Sequence, residues 1–311
     1  MRVAVVGAGA VGGYFAAKLS RAGEDVAVVA RGAHLDAIRR EGLQVRSPAL
    51  GDFTARVTAE ADPAAIGPAD LVVFAVKTYD TAEALRLVPP LLHGSTAVLT
   101  LQNGVDSADE VAAAVGEARV LGGVTYVATS IAGPGVIAQT GVHRSIVFGE
   151  AFGDRRAIAP RVQAVADVLA GADIQVTPVA DARVPIWDKF VYLAPFAGFT
   201  GAARLPIGPL WAQPETRAAF YAAAREVAAI AAAEGVSISA DRFETLAAYM
   251  DHIPPTTRSS LLTDLDGGRR IEVEALHGAA VRRAAAHGLA VPMLTTLYAV
   301  LRPWAAGSPA R

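Results

Sequence analysis

The sequence predicts an α/β fold: a doubly wound, largely parallel sheet followed by an all-helical second part. Three observations predict it. Short apolar runs alternate with helical patterns up to about residue 117. A glycine-punctuated, β-rich stretch follows, and beyond about residue 181 strand signals vanish in favour of alanine-rich helices. With 311 residues, 53% of them hydrophobic, the chain can bury two cores. The expected domains are 1–180 and 181–311.

RVAVVGAG reads as a buried parallel strand entering a turn, and AVGGYFAAKLSRAG as a helix ended by Gly23. DVAVVAR (25–31) is a second strand, residues 33–41 a second helix, and GLQVRSPALGDFTARVTAE a polar, hairpin-like section. DLVVFAVK (70–77), with a helix after it, and STAVLTLQNG (95–104) continue the parallel pattern. VLGGVTYVATSIAGPGVIAQTGVHRSIVFGE reads as antiparallel strands closing the sheet, and a helix over 157–170 and the strand IQVTPV complete the first domain. In the second, ETRAAFYAAAREVAAIAAAEG ends at Gly235, RIEVEALHGAAVRRAAAHG is one helix ending at Gly288, and VPMLTTLYAVLRPW is the last. The tail AAGSPAR is expected to fray.

Net charge is −2 with no basic stripe, which argues against nucleic-acid binding. The chain has no cysteine, so disulfides and thiolate chemistry are excluded, as a reducing, cytoplasmic setting would allow. Its six histidines are scattered without ligand spacing, so no metal site is expected. No apolar run reaches transmembrane length. The N-terminus mimics a signal peptide, but its glycines have a better explanation.

Gly7-Ala8-Gly9-Ala10-Val11-Gly12 is G-x-G-x-x-G between a strand and a helix. Gly7 suits the tight turn, Gly9 a close approach to a pyrophosphate, and Gly12 close helix–strand packing. The N–H groups of the helix start, at Ala10 and Val11, face the phosphates. This predicts a Rossmann-type dinucleotide site, the alternative being a tight turn with no ligand. The second strand ends without an acid; Arg31 stands where a 2′-phosphate would lie, so NADP (NADPH) is expected over NAD. The other reading of Arg31 is a solvated arginine. Lys77 and Asn103, the only asparagine, end the next two strands at the edge where such sheets bind ligands; a surface lysine and a turn asparagine are the plainer readings.

Only three lysines occur, Lys18, Lys77 and Lys189, against 25 arginines. Lys189 lies among Trp187, Phe190, Tyr192 and Phe196. A lysine in apolar surroundings is pulled toward neutrality and can deliver a proton, which arginine cannot. A lysine snorkelling from a helix face is the alternative.

These pieces together, VVGAGAVGGYFAAKL, ARG, AVKTYDT, LQNGV, WDKF and RSSLLTDLDGGRRIEVEALHGAAVRRAAAHGLAVP, resemble the ketopantoate reductase (2-dehydropantoate 2-reductase) family over nearly the whole chain. The resemblance implies NADPH-dependent reduction of a 2-keto acid, in the pantothenate pathway, in a cleft between a Rossmann domain and a helical domain. It implies that Gly7, Gly9, Gly12 and Arg31 bind the cofactor. Asn103 would lie beside nicotinamide and substrate, and Lys77 in the cleft. Lys189 would be the general acid, Ser260 a ligand of the substrate carboxylate, and Glu272 a carboxylate that aligns the substrate. Read without the family, Ser260 is a helix cap and Glu272 a first-turn carboxylate favoured by the helix dipole.

Two positions depart from the family pattern. Asparagines expected four and eight residues after the lysine are Leu193 and Ala197 here. This fits a bulkier or more apolar 2-keto acid, as in D-mandelate-type dehydrogenases. Another dehydrogenase of the same architecture and a non-catalytic NADPH sensor are the remaining readings. A homodimer through the alanine-rich helices and use of the same stripes for the core are both open.

Overall fold

The computed structural model describes residues 1–308. It divides into two compact units, Met1–Gln102 with Ser107–Ala182, and Asn103–Asp106 with the chain from Arg183 onward. Four residues of the first half pack with the helices, because the Val105 side chain is part of the helical core.

The first unit runs β1 (Arg2–Val6), α1 (Ala10–Arg21), β2 (Asp25–Val29), α2 (Gly32–Glu41), β3 (Leu43–Arg46), β4 (Phe53–Ala55), β5 (Thr58–Glu60), β6 (Leu71–Phe74), α3 (Thr81–Leu85), β7 (Ala97–Thr100), α4 (Ser107–Val115), β8 (Val120–Gly133), β9 (Val136–Glu150), α5 (Pro160–Gly171) and β10 (Gln175–Asp181). One sheet has the order β4-β3-β9-β8-β7-β6-β1-β2-β5, with β10 beside β9. Strands β8, β7, β6, β1, β2 and β5 are mutually parallel, and β8 and β9 form the long antiparallel pair.

The central strands are uninterrupted apolar runs because both faces are covered. Val3, Val5, Val26 and Val28 join one core with Tyr14, Phe15 and Leu19 of α1. Ala4, Val6, Ala27 and Val29 join another with Ala84 of α3 and Val111 of α4. The hairpin-like section resolves into the β3–β4 hairpin plus β5, which extends the main sheet beside β2. Helix α5 starts at Pro160 rather than 157, since proline's fixed φ and missing N–H suit the first helical position. Lys18 is buried and paired with Asp173 at 2.7 Å, tying α1 to the end of α5.

The second unit holds α6 (Arg183–Ala203), α7 (Ile207–Trp211), α8 (Pro214–Ala233), α9 (Arg242–His252), α10 (Ser260–Asp266), α11 (Ala279–Ala286) and α12 (Pro292–Leu301). A π-helical turn, Glu274–Gly278, precedes α11. The single helix expected from Arg270 therefore begins only at Val273 and is widened at its start. Helix α6 carries buried residues along most of its length and packs against α8, α10 and α12. A Cβ on its Gly198 would lie 2.6 Å from His277 Nε2, so only glycine admits that imidazole. His277 is fully buried; its Nε2 donates to the Ala194 carbonyl at 2.9 Å, and burial pushes its pKa down to about 4. The Glu226 carboxylate accepts the Met293 and Leu294 N–H groups, both at 2.9 Å, capping α12.

The tail holds further than expected. Ile271 N–H donates to Ala305 O at 3.2 Å, and Ser308 N–H to Gly268 O at 3.4 Å. The rest of the expected frayed tail, 309–311, lies outside the described residues.

Candidate functional site

In the sheet unit the registers Val6↔Val29, Val6↔Phe74 and Phe74↔Thr100 level the carboxyl ends of four adjacent parallel strands. The chain leaves this edge through the glycine turn after β1, Arg31 after β2, Lys77 after β6 and Gln102 after β7. A doubly wound sheet binds ligands along that edge.

The three glycines differ in what demands them. Gly7 has φ +98°, and a Cβ there would lie 2.8 Å from Val76 N. A Cβ on Gly12 would lie 2.1 Å from Gly7 O. Folding alone requires both. Gly9 has φ −74°, open to any residue, and no atom within 4 Å of where a Cβ would be. Nothing in the chain asks for glycine at position 9, whereas a phosphate group approaching the backbone does. Ala10 opens α1, whose N-terminus has no side-chain cap and no acid in its first turn, so its N–H groups and dipole suit an anion. The residues present therefore fit a dinucleotide.

Arg31 is exposed and pairs loosely with Asp80 at 3.5 Å and Glu83 at 3.4 Å, ion pairs that water screens heavily. Lys77 is half-buried, just before the 3₁₀ turn Thr78–Asp80. Gln102 is more than part of a turn: it is buried and donates to Thr81 Oγ1 at 2.8 Å and Val76 O at 3.1 Å, bracing the edge. Sequence reasoning missed His34. Its Nδ1 accepts the Gly135 N–H at 3.0 Å, so its Nε2 must carry the hydrogen it donates to Ala8 O at 2.8 Å. It thereby braces the glycine turn.

The helical unit gathers Lys189, Asn103 and Glu272. Lys189 Nζ donates to Asn103 Oδ1 at 3.0 Å. Burial pushes the Lys189 ammonium down to about 8, and the Glu272 carboxylate partly opposes that shift. Glu272 is itself buried, 7% exposed. It sits immediately before its helix rather than in the first turn, so the dipole does not explain it fully. Gly104 has φ +100°, and a Cβ there would lie 2.6 Å from Ala275 O, so the turn after Asn103 lies flat against the π turn.

Ser260 is the exposed first residue of α10, and the cap is its neighbour, Ser259, whose Oγ accepts the Leu262 N–H at 3.0 Å. The capping alternative thus falls to the other serine. Leu193 and Ala197 follow Lys189 on one stripe of α6, the first half-buried and the second buried. Tyr192 stacks on Phe196 with centroids 5.0 Å apart and meets Tyr249 edge-on at 5.1 Å. Among the described residues no group of His, Asp and Glu side chains is placed to hold a metal ion, and no helix is long and apolar enough to cross a membrane.

Residues 3–153 match the family model described as Ketopantoate reductase PanE/ApbA, and 181–305 match its C-terminal counterpart. A 2-dehydropantoate 2-reductase of Halobacterium salinarum is 36% identical, over 97% of this chain and 98% of the relative. A crystal structure of a PanE/ApbA family ketopantoate reductase from Ralstonia eutropha JMP134 superposes with TM-score 0.88 at 34% identity, covering 97% of both chains. A D-mandelate dehydrogenase solved with NADH and anilino(oxo)acetate is 21% identical with TM-score 0.88, over 97% of both chains, a likeness of fold. With both halves matched and the fold shared end to end, the chain belongs to the ketopantoate reductase family and is a pyridine-nucleotide-dependent oxidoreductase.

Proposed function

We propose that this protein reduces a 2-keto acid to the 2-hydroxy acid with NADPH, and that its substrate is 2-dehydropantoate, in pantothenate biosynthesis in the cytoplasm. The observation that carries the reading is the amine of Lys189, hydrogen-bonded to Asn103, set near a buried carboxylate and brought down to about 8 by burial.

When bound, NADPH supplies the hydride that reduces the keto carbon. The α1 N-terminus and Gly9 would hold its pyrophosphate, and Arg31, whose carboxylate pairs are loose, would bind its 2′-phosphate. Lys77 adds positive charge at the same edge. Lys189, as the ammonium, donates to the keto oxygen and passes its proton there as negative charge develops. Asn103 fixes the direction of that amine. Glu272 favours its charged form and orients the substrate, and Ser260 binds the carboxylate.

A second reading is favoured by Leu193 and Ala197. Two apolar side chains on the Lys189 stripe leave a substrate hydroxyl unpaired, which suits a bulkier, more apolar 2-keto acid. The test is cofactor oxidation with 2-dehydropantoate, phenylpyruvate and benzoylformate, for wild type and Lys189→Ala. Turnover of 2-dehydropantoate that is lost in the variant supports the first reading. Preference for the aromatic acids selects the second. Tight NADPH binding with no turnover of any of them refutes both and leaves a sensor.

A further inference from the structure

The loop that carries Asn103 is gripped at each of its next three residues. Gly104 lies against the carbonyl of Ala275. The Val105 carbonyl accepts from Arg283 Nη2 at 3.3 Å, while its side chain is buried in the helical core. The Asp106 carboxylate is held on both oxygens: Oδ1 accepts from Arg283 Nε at 2.7 Å and Oδ2 from Arg282 Nη2 at 3.1 Å. Arg283 is anchored in turn, with Nη1 3.1 Å from Glu234 Oε1, which also meets His287 Nε2 at 3.2 Å. The Asp106 and Arg283 side chains are only 22% and 20% exposed, so this pair is far better shielded than the Arg31 pairs.

Without such a grip, a glycine next to Asn103 would let the loop wander. A hydrogen bond that aims a proton donor has to be held within a fraction of an ångström. We propose that Asp106, clamped by Arg282 and Arg283 of α11, is a positioning residue that fixes Asn103 and, through it, the amine of Lys189. The inference rests on the roles given above to Asn103 and Lys189. Asp106 does not touch the reacting atoms, and its effect travels through one side chain.

The test compares Asp106→Asn, nearly isosteric but uncharged, with Asn103→Ala and with the double variant. Asp106→Asn lowers kcat about tenfold to a hundredfold, with KM for NADPH unchanged. The double variant is no slower than Asn103→Ala alone, because the two act through one group. Arg282→Gln, which removes the longer arm, gives a smaller loss in the same direction. Additive losses, or full activity in Asp106→Asn, overturn the inference. Amide hydrogen exchange reads the clamp without substrate: it rises at residues 103–106 in Asp106→Asn and stays as in wild type through α6 and α8. Unchanged exchange at 103–106 overturns the inference whatever the activity. Full activity in Asn103→Ala instead refutes the proposed site, a distinguishable result.

Discussion

The two units recruit chemistry in opposite ways. The sheet unit offers mostly backbone: a glycine turn, a helix N-terminus and strand ends brought level by register, with exposed Arg31 the main charged contribution. The helical unit offers side chains taken out of water, an amine pushed down to about 8 and a carboxylate 7% exposed. A cofactor shared by many enzymes can be held by groups every residue possesses, so its site is specified by the absence of Cβ atoms. Proton delivery needs a particular pKa, and burial is what sets one in the helical unit.

Substitutions can break this contrast, beginning with the largest effect. Lys189→Ala should lower kcat by roughly 10²–10⁴ with NADPH affinity unchanged, as steady-state kinetics and a binding titration would show. In the proposed mechanism the ammonium is the active form, so kcat should fall as pH rises through about 8, the value to which burial brings this lysine. A limb that turned down only near an ordinary lysine value would mean the amine is not desolvated during turnover. Within the sheet unit, Gly7→Ala and Gly9→Ala should separate folding from binding. Gly7→Ala meets backbone and requires a left-handed φ, so thermal denaturation should show a loss of about 1–3 kcal/mol. Gly9→Ala should change stability by under about 0.5 kcal/mol and still weaken NADPH binding. Arg31→Ala should weaken NADPH binding about tenfold to a hundredfold, from a charged hydrogen bond worth about 1.5–3 kcal/mol, and leave NADH binding as it was. The smallest effect is sought at Leu193→Asn, which should improve kcat/KM for 2-dehydropantoate relative to phenylpyruvate by about tenfold or less, about one net hydrogen bond.

The same contrast decides what was legible in the sequence. β1, β2, β6 and β7 are readable because burial on both faces makes them continuous apolar runs. β5 is not: Thr58-Ala59-Glu60 buries only Ala59 and looks like loop. The glycine turn is legible because its pattern is local, three glycines within six residues between a strand and a helix. The choice between Ser259 and Ser260 is not, because one residue of difference in where α10 starts exchanges cap for exposed hydroxyl. Asn103 reads as the end of a strand, yet the contact that holds its loop, Asp106 with Arg283, spans 177 positions. His34 went unnoticed because its partners, Ala8 and Gly135, are backbone groups that carry no residue signature.

One consequence reaches outside catalysis. The chain has only four primary amines: its N-terminus and three lysines. The terminal amine is tied to Glu24 and Lys18 to Asp173, while Lys189 loses its proton near pH 8. An ordinary lysine is still almost fully charged at that pH, with a pKa of about 10.4. Acylating reagents and aldehydes attack only the neutral amine. The burial that brings Lys189 toward its neutral form also screens it from bulk reagents, so its acylation rate in mildly alkaline solution reads out how far small molecules reach it.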